Sequence, residues 1–379
     1  MTPNLTFEQF SRLLETVFRP GQVEPGLIIL VDLPSKGLPD NPAWKDRRRL
    51  AAEWYTMLQT HLADLPFREI VCCVYPNVGS NNSDLPEVVT VVARTSEEDA
   101  VASVHPLSLI EVLGGGSVIL AMTELSATAP LKILARKLGF RGATLPGFSR
   151  KMIPALMLDY DQIHARVLGI KERMDAAIGA TLVISRGEES YSSFYDLRYR
   201  TAHASGGIIR EAGTVANLPS GEAYIAPYEG EQAEFPSKTA GTLPVQFEDE
   251  IVLFTIRENK CVAVEGNGRH TEEQRGMLAA EVAYGNIAEL GIGVLGEWGV
   301  QAAGSTLLDE KLGLHIAFGR SEHLGGVTGP GAFRSPKNVI HIDWVYVPSV
   351  QPALAVQELK FHYVDRADET VIRSGNLSV

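Results

Sequence analysis

The chain has 379 residues, 45% of them hydrophobic and 21% charged, with a net charge of −12, the composition of an ordinary packed protein long enough for two domains. The acidic balance argues against nucleic acid or an anionic membrane as partner, since either calls for a basic face; a cationic or neutral small substrate suits it better. No apolar run approaches the roughly eighteen residues of a membrane span, and residues 1–19 mix Glu8 and Glu15 into their apolar pattern, unlike a signal peptide.

Up to residue 150, short apolar runs (27–33, 70–75, 88–93, 118–122) alternate with helical patterns at 44–61 and 131–138, the rhythm of an α/β layer with a mainly parallel sheet. Cys72 and Cys73 are adjacent in one of these runs and Cys261 stands alone. They form no disulfide framework or zinc knuckle, which fits a reducing, cytoplasmic setting. Gly114-Gly115-Gly116 precedes the run at 118–122, whereas a phosphate-binding loop follows a strand and opens a helix, so a turn is predicted.

Residues 141–154 turn to Gly, Pro and Ser, and Ile163, Val167, Ile170 and Met174 then repeat at helical spacing. A domain boundary is placed here, giving an α/β domain over 1–155 and a metal-binding catalytic domain over 156–379. From residue 180 the pattern is of short strand-like runs at 182–185, 223–226, 251–257, 261–265, 315–319 and 339–347. One helix is predicted from Thr271, with Gln274 completing a capping box, to about residue 290. The second domain therefore reads as α+β, rich in antiparallel strands, a curled sheet or barrel.

Metal-capable side chains gather among glycines in this half. His341 and Asp343 lie two apart in a strand-like run, so they share a face; elsewhere such a pair is an ordinary hydrogen-bonded couple. His315 opens an apolar strand, where the plain reading is a satisfied core histidine. Glu289 falls at the predicted helix end, an electrostatically poor place for an acid unless a cation lies opposite. Glu222 and Glu310 sit in turns and, taken singly, pass as solvated carboxylates.

Leu218-Pro219-Ser220-Gly221-Glu222-Ala223-Tyr224-Ile225-Ala226-Pro227, Glu289-Leu290-Gly291-Ile292-Gly293, Leu308-Asp309-Glu310-Lys311, His315-Ile316-Ala317-Phe318-Gly319 and Ile340-His341-Ile342-Asp343 together resemble the thermophilic metallo-aminopeptidases of the aminopeptidase T type, which are leucyl aminopeptidase-like. The resemblance covers about two-thirds of the chain; the first 130 residues share only the α/β rhythm. It implies an aminopeptidase, a hydrolase of N-terminal peptide bonds, with two divalent ions (zinc, cobalt or manganese) held by Glu222, Glu289, Glu310, His315, His341 and Asp343, Glu289 bridging. It also implies a homodimer and a peptide or small-molecule substrate.

One departure stands out. The family carries a tyrosine seven residues after the strand histidine, and here that position is Glu322, followed by His323. If the tyrosine steadies the tetrahedral intermediate, His323 or Glu322 must replace it or the chain is impaired. His323 leads into a glycine-rich loop that reads equally as a substrate cover or a plain connector. Two rivals keep the fold: a ring-cleaving dioxygenase holding one iron(II) on His315, His341 and Asp343, which leaves Glu222, Glu289 and Glu310 idle, and a non-catalytic member with a binding or pathway role.

Overall fold

The computed structural model describes residues 4–95 and 101–379, so the first three residues of the N-terminal segment lie outside it. The chain divides into two compact units, Met1–His164 with Ser205–Ser220, and Ala165–Ala204 with Gly221–Val379.

The first unit is a mixed α/β layer. Its seven-stranded sheet runs in the order Val215–Asn217, Arg141–Thr144, Val118–Met122, Glu24–Leu33, Phe67–Pro76, Val88–Thr95, Val101–Ser108. The first five pair in parallel and the last two close one side antiparallel. Glu24–Leu33 is central and buried over most of its length, as a parallel strand covered on both faces must be. Cys72 and Cys73, in the adjacent strand Phe67–Pro76, are both buried as free thiols. Gly116 takes a left-handed turn conformation (φ 82°) before its strand, as the order of glycines and strand requires.

Helix boundaries follow local chemistry. Thr6 and Gln9 form a reciprocal capping box on Phe7–Phe18. Asn41 caps Pro42–Thr60, and left-handed Gly139 ends Thr128–Leu138.

The second unit holds two open sheets rich in antiparallel strands; of the curled sheet or barrel expected, no closed barrel forms among the described residues. Eight antiparallel strands run in the order Lys260–Glu265, Glu250–Arg257, Ala240–Phe247, Glu189–Asp196, Gly179–Arg186, Ala355–His362, Glu369–Arg373, Asn376–Leu377. Five more run His341–Val345, Leu314–Gly319, Ile287–Gly293, Glu222–Ile225, His203–Ser205. The sheets meet through Phe254, whose ring stands edge-on to Phe318 at 5.2 Å and stacks with Trp344 at 6.5 Å. No helix among the described residues is long and apolar enough to cross a membrane.

The predicted helix over 271–290 is corrected. A helix spans Arg269–Ala280 only, and Ile287–Gly293 is a strand, so Glu289 lies in a sheet rather than at a helix terminus. Thr271 is not the cap: its hydroxyl donates to Glu250 Oε1 at 2.5 Å, and Glu250 also receives the backbone N–H of Gly268, His270 and Thr271. A carboxylate from a neighbouring strand thus does the capping, which local sequence spacing cannot reveal.

In the first unit, Asp32 is fully buried at the carboxyl end of the central strand. It accepts from Trp44 Nε1 (2.9 Å), Asn77 Nδ2 (2.5 Å) and the Glu124 backbone N–H (3.0 Å). Asp32→Ala orphans these donors, each costing about 1–3 kcal/mol. Urea unfolding is expected to show a loss of about 2–4 kcal/mol after partial relaxation; an unchanged midpoint would show that the network carries no net stability.

Candidate metal centre

Strand alternation builds the site on one face of the five-stranded sheet. The cross-strand register places Glu222 opposite Gly293, Tyr224 opposite Gly291, Gly291 opposite His315, Glu289 opposite Ala317 and Ala317 opposite Asp343. His341, two residues before Asp343, pairs with Gly319. Apart from Tyr224 and Val345, the register-paired residues on this face are therefore ligand-type side chains or very small residues. The other face carries Ile225, Leu290, Ile292, Ile316 and Phe318, all fully buried.

The small residues make room. A Cβ built on Gly291 would lie 1.9 Å from His315 Nε2, and one on Gly293 would lie 2.1 Å from the carbonyl carbon of Lys311. The Glu-Leu-Gly-Ile-Gly run is thus a floor over which an imidazole lies and against which the Glu310–Leu312 turn packs.

Two groups of three ligand atoms result, each mutually within 4.8 Å: Glu222, Glu289 and His315, and Glu289, His341 and Asp343. Glu289 belongs to both. Its Oε1 lies 3.1 Å from His315 Nε2 and its Oε2 3.3 Å from His341 Nε2. Asp343 Oδ1 is 3.4 Å from His341 Nε2, and Glu222 Oε2 is 3.6 Å from His315 Nε2. Glu310 is in neither group; it pairs with Lys311.

The rings are oriented from behind. His341 Nδ1 lies 2.8 Å from the Arg320 carbonyl and His315 Nδ1 3.3 Å from the Gly313 carbonyl. A carbonyl only accepts, so each Nδ1 carries a proton and each Nε2 faces the carboxylates, the arrangement of ligating histidines. Glu222 Oε2 is buried without a hydrogen-bond partner, an acceptor that a cation would satisfy. Carboxylate and imidazole donors together suit a transition metal better than calcium or magnesium, so the residues present fit such a group.

The titration behaviour reflects crowded negative charge. Burial favours neutral Glu289, but the bonds and charges of His315 and His341 outweigh it and hold the carboxyl far below its ordinary range. Burial depresses His315, but Glu289, Glu222 and Asp343 outweigh it and lift the imidazole to about 9. His341 is likewise raised, against burial, by Asp343 and Glu289. Burial and the charges of Glu222 and Asp343 push Glu310 up to about 8 despite Lys311. Without a metal, protons on the imidazoles balance the carboxylates; binding a metal releases them.

Lys311 lies within a recognisable motif but was assigned no role from sequence. It is 1% exposed and donates from Nζ to Glu222 Oε1 at 2.8 Å as well as to Glu310. A lone lysine before an apolar strand gives no sign of burial; only the turn that packs on Gly293 puts it there.

His323 and Glu322 lie at the margin. The His323 ring meets His341 edge-on at 5.3 Å, and burial together with the His341 and Arg320 charges lowers its pKa to about 4. Glu322 is engaged by Arg320, with Nε donating to Oε2 at 2.7 Å, and its Oε2 is 3.6 Å from His323 Nδ1.

The glycine-rich loop is anchored at its start. The buried Glu229 carboxylate accepts from Ser321 Oγ (2.6 Å), the Val327 N–H (2.8 Å) and Thr328 Oγ1. A Cβ on Gly326 would lie 2.2 Å from Glu229 Oε1, so only glycine admits this approach. Sequence reasoning passed over Glu229, which lies about ninety residues from the loop it holds.

No family model and no curated protein sequence matches the chain. Solved structures similar to it include a 2,5-dihydroxypyridine dioxygenase from Pseudomonas putida KT2440 (14% identity, TM-score 0.60, covering 98% of this chain and 96% of that one). Another is the wild-type AmpT of Thermus thermophilus (13% identity, TM-score 0.55, covering 98% and 99%). At these identities the likeness shows a shared fold.

Gly291→Ala is expected to displace His315 and reduce bound metal by about tenfold or more, with circular dichroism unchanged, because the intruding methyl meets the ring rather than backbone. Full metal content in that variant would show that the glycine has no such role. Glu229→Ala is expected to speed amide hydrogen exchange at 321–328 by about tenfold or more; unchanged protection there would mean that other contacts hold the loop.

Proposed function

We propose that the chain is a metal-dependent aminopeptidase that hydrolyses N-terminal peptide bonds, with Glu222, Glu289 and His315 holding one divalent ion, Glu289, His341 and Asp343 holding another, and Glu289 bridging. The observation that carries this reading is the division of Glu289's two oxygens between the two imidazoles. Two ions so held supply Lewis acidity toward a carbonyl and a water acidic enough to act near neutral pH.

The chain's own groups perform the rest. The Arg320 and Gly313 carbonyls keep both histidine Nε2 atoms directed inward. Glu310 stands beside the ligands, tied to Lys311, as an acidic group available to a proton moving through the site. His323, backed by Glu322, is assigned the place of the family's tyrosine, donating toward charge that develops on the substrate oxygen. Arg320 keeps Glu322 ionised, so Glu322 steadies the imidazole. The substrate is a peptide or small molecule with a free amino terminus, and neither nucleic acid nor membrane is a partner. A cytoplasmic homodimer belongs to the same proposal.

The second reading is a ring-cleaving dioxygenase with one iron(II) on His315, His341 and Asp343, favoured by the likeness to the P. putida enzyme. Against it, His315 is grouped with Glu222 and Glu289, whereas His341 and Asp343 are grouped with Glu289, so the three residues it requires do not fall in one metal-capable group among the described residues.

Protein purified without chelator or metal-affinity resin and then loaded is expected to carry about two zinc, cobalt or manganese ions and to cleave aminoacyl p-nitroanilides. One iron with oxygen-dependent opening of a dihydroxypyridine would instead establish the second reading. Glu289→Ala and His341→Ala are each expected to lower kcat/KM by about 1,000-fold or more and to lose metal while remaining folded. His323→Ala is expected to lower kcat by about 100-fold with metal content intact; wild-type kcat would remove His323 from the mechanism.

A further inference from the structure

We propose that Lys311 acts as a built-in cation that makes the two metal positions unequal: the position formed by Glu289, His341 and Asp343 fills first and tightly, and the position formed by Glu222, Glu289 and His315 fills second and weakly. The inference rests on the two-cation reading above.

Three observations carry it. Lys311 Nζ takes Glu222 Oε1 at 2.8 Å and also pairs with Glu310, so the ammonium already occupies half of one ligand and withholds a second carboxylate from both groups. The other Glu222 oxygen is buried without a hydrogen-bond partner, which leaves this position able to accept a further cation. By contrast, among the described residues no lysine or arginine pairs with Glu289 or Asp343; their ion-pair partners are His315 and His341.

The lysine has no easy way out. Its side chain is buried, and its backbone is packed on Gly293, where a Cβ would lie 2.1 Å from the Lys311 carbonyl carbon. A fixed positive charge beside one of two cation positions lowers affinity there through like-charge repulsion, weakly screened because Lys311 and Glu222 are buried. Lys311 is thus a positioning residue: it holds Glu222 and Glu310 in place when the second position is empty and keeps that cation exchangeable when it is filled.

The test is a cobalt(II) titration of the full chain after chelator treatment, followed by calorimetry and visible cobalt absorption. Wild type is expected to bind in two steps separated by about tenfold or more. Asp343→Asn should weaken the first step and Glu222→Gln the second. Lys311→Met, neutral and of similar length, should strengthen the second step by about tenfold or more, and Lys311→Arg should restore the wild-type separation. Circular dichroism confirms folding, and should Lys311→Met fail to fold, the Asp343→Asn and Glu222→Gln pair decides the order of filling.

Two equal steps in wild type, or a second step indifferent to Lys311→Met, overturn this inference and leave the two-cation reading intact. One ion in wild type and two in Lys311→Met would overturn the native two-cation reading while supporting Lys311 as its internal substitute. One ion in both would overturn both.

Discussion

The second unit is organised around buried negative charge. Glu222, Glu289 and Asp343 project from one sheet face with Glu310 against them, and carboxylates held this close and largely out of solvent must be matched by positive charge or give up their ionisation. Lys311 meets part of the demand permanently, and the two imidazoles meet more of it by holding protons. On the proposed reading, what remains is met by cations in the two groups of ligand-type side chains that share Glu289.

That demand explains features that otherwise look incidental. Gly291, Gly293 and Ala317 leave the sheet face low enough for an imidazole and a packed turn to lie across it. The opposite face is apolar and meets the eight-stranded sheet through Phe318, Trp344 and Phe254, so the ligands stand on a floor that cannot easily shift. The carbonyls behind His315 and His341 set their tautomers, and Glu229 ties down the segment that presents Glu322 and His323. That segment has the composition of a flexible connector, yet its first part is held by a buried carboxylate.

The two similar solved structures differ in chemistry, and the shared fold alone does not choose between them. The choice lies in the side chains on the sheet face. The two-ion proposal rests on a site rich in glutamates with one shared between two imidazoles, whereas a lone iron on His315, His341 and Asp343 leaves Glu222, Glu289 and Glu310 without a task.

Short apolar runs by themselves marked half of the strands, and because successive side chains of a strand point to opposite faces, the two-residue spacing of His341 and Asp343 puts both on one side. The α/β rhythm of the first unit was legible for a related reason, since parallel strands covered on both faces read as continuous apolar runs. Only the tertiary structure decided that Glu289 is a strand residue, because its Leu-Gly-Ile-Gly continuation has no strong local preference and is made a strand by pairing on both sides. The same holds for the cap that Glu250 places on the Arg269–Ala280 helix, the clamp of Glu229 on 321–328 and the burial of Lys311. Each joins segments remote in sequence or depends on a turn packed against a distant glycine, and long-range charge pairing leaves no periodic trace in a sequence.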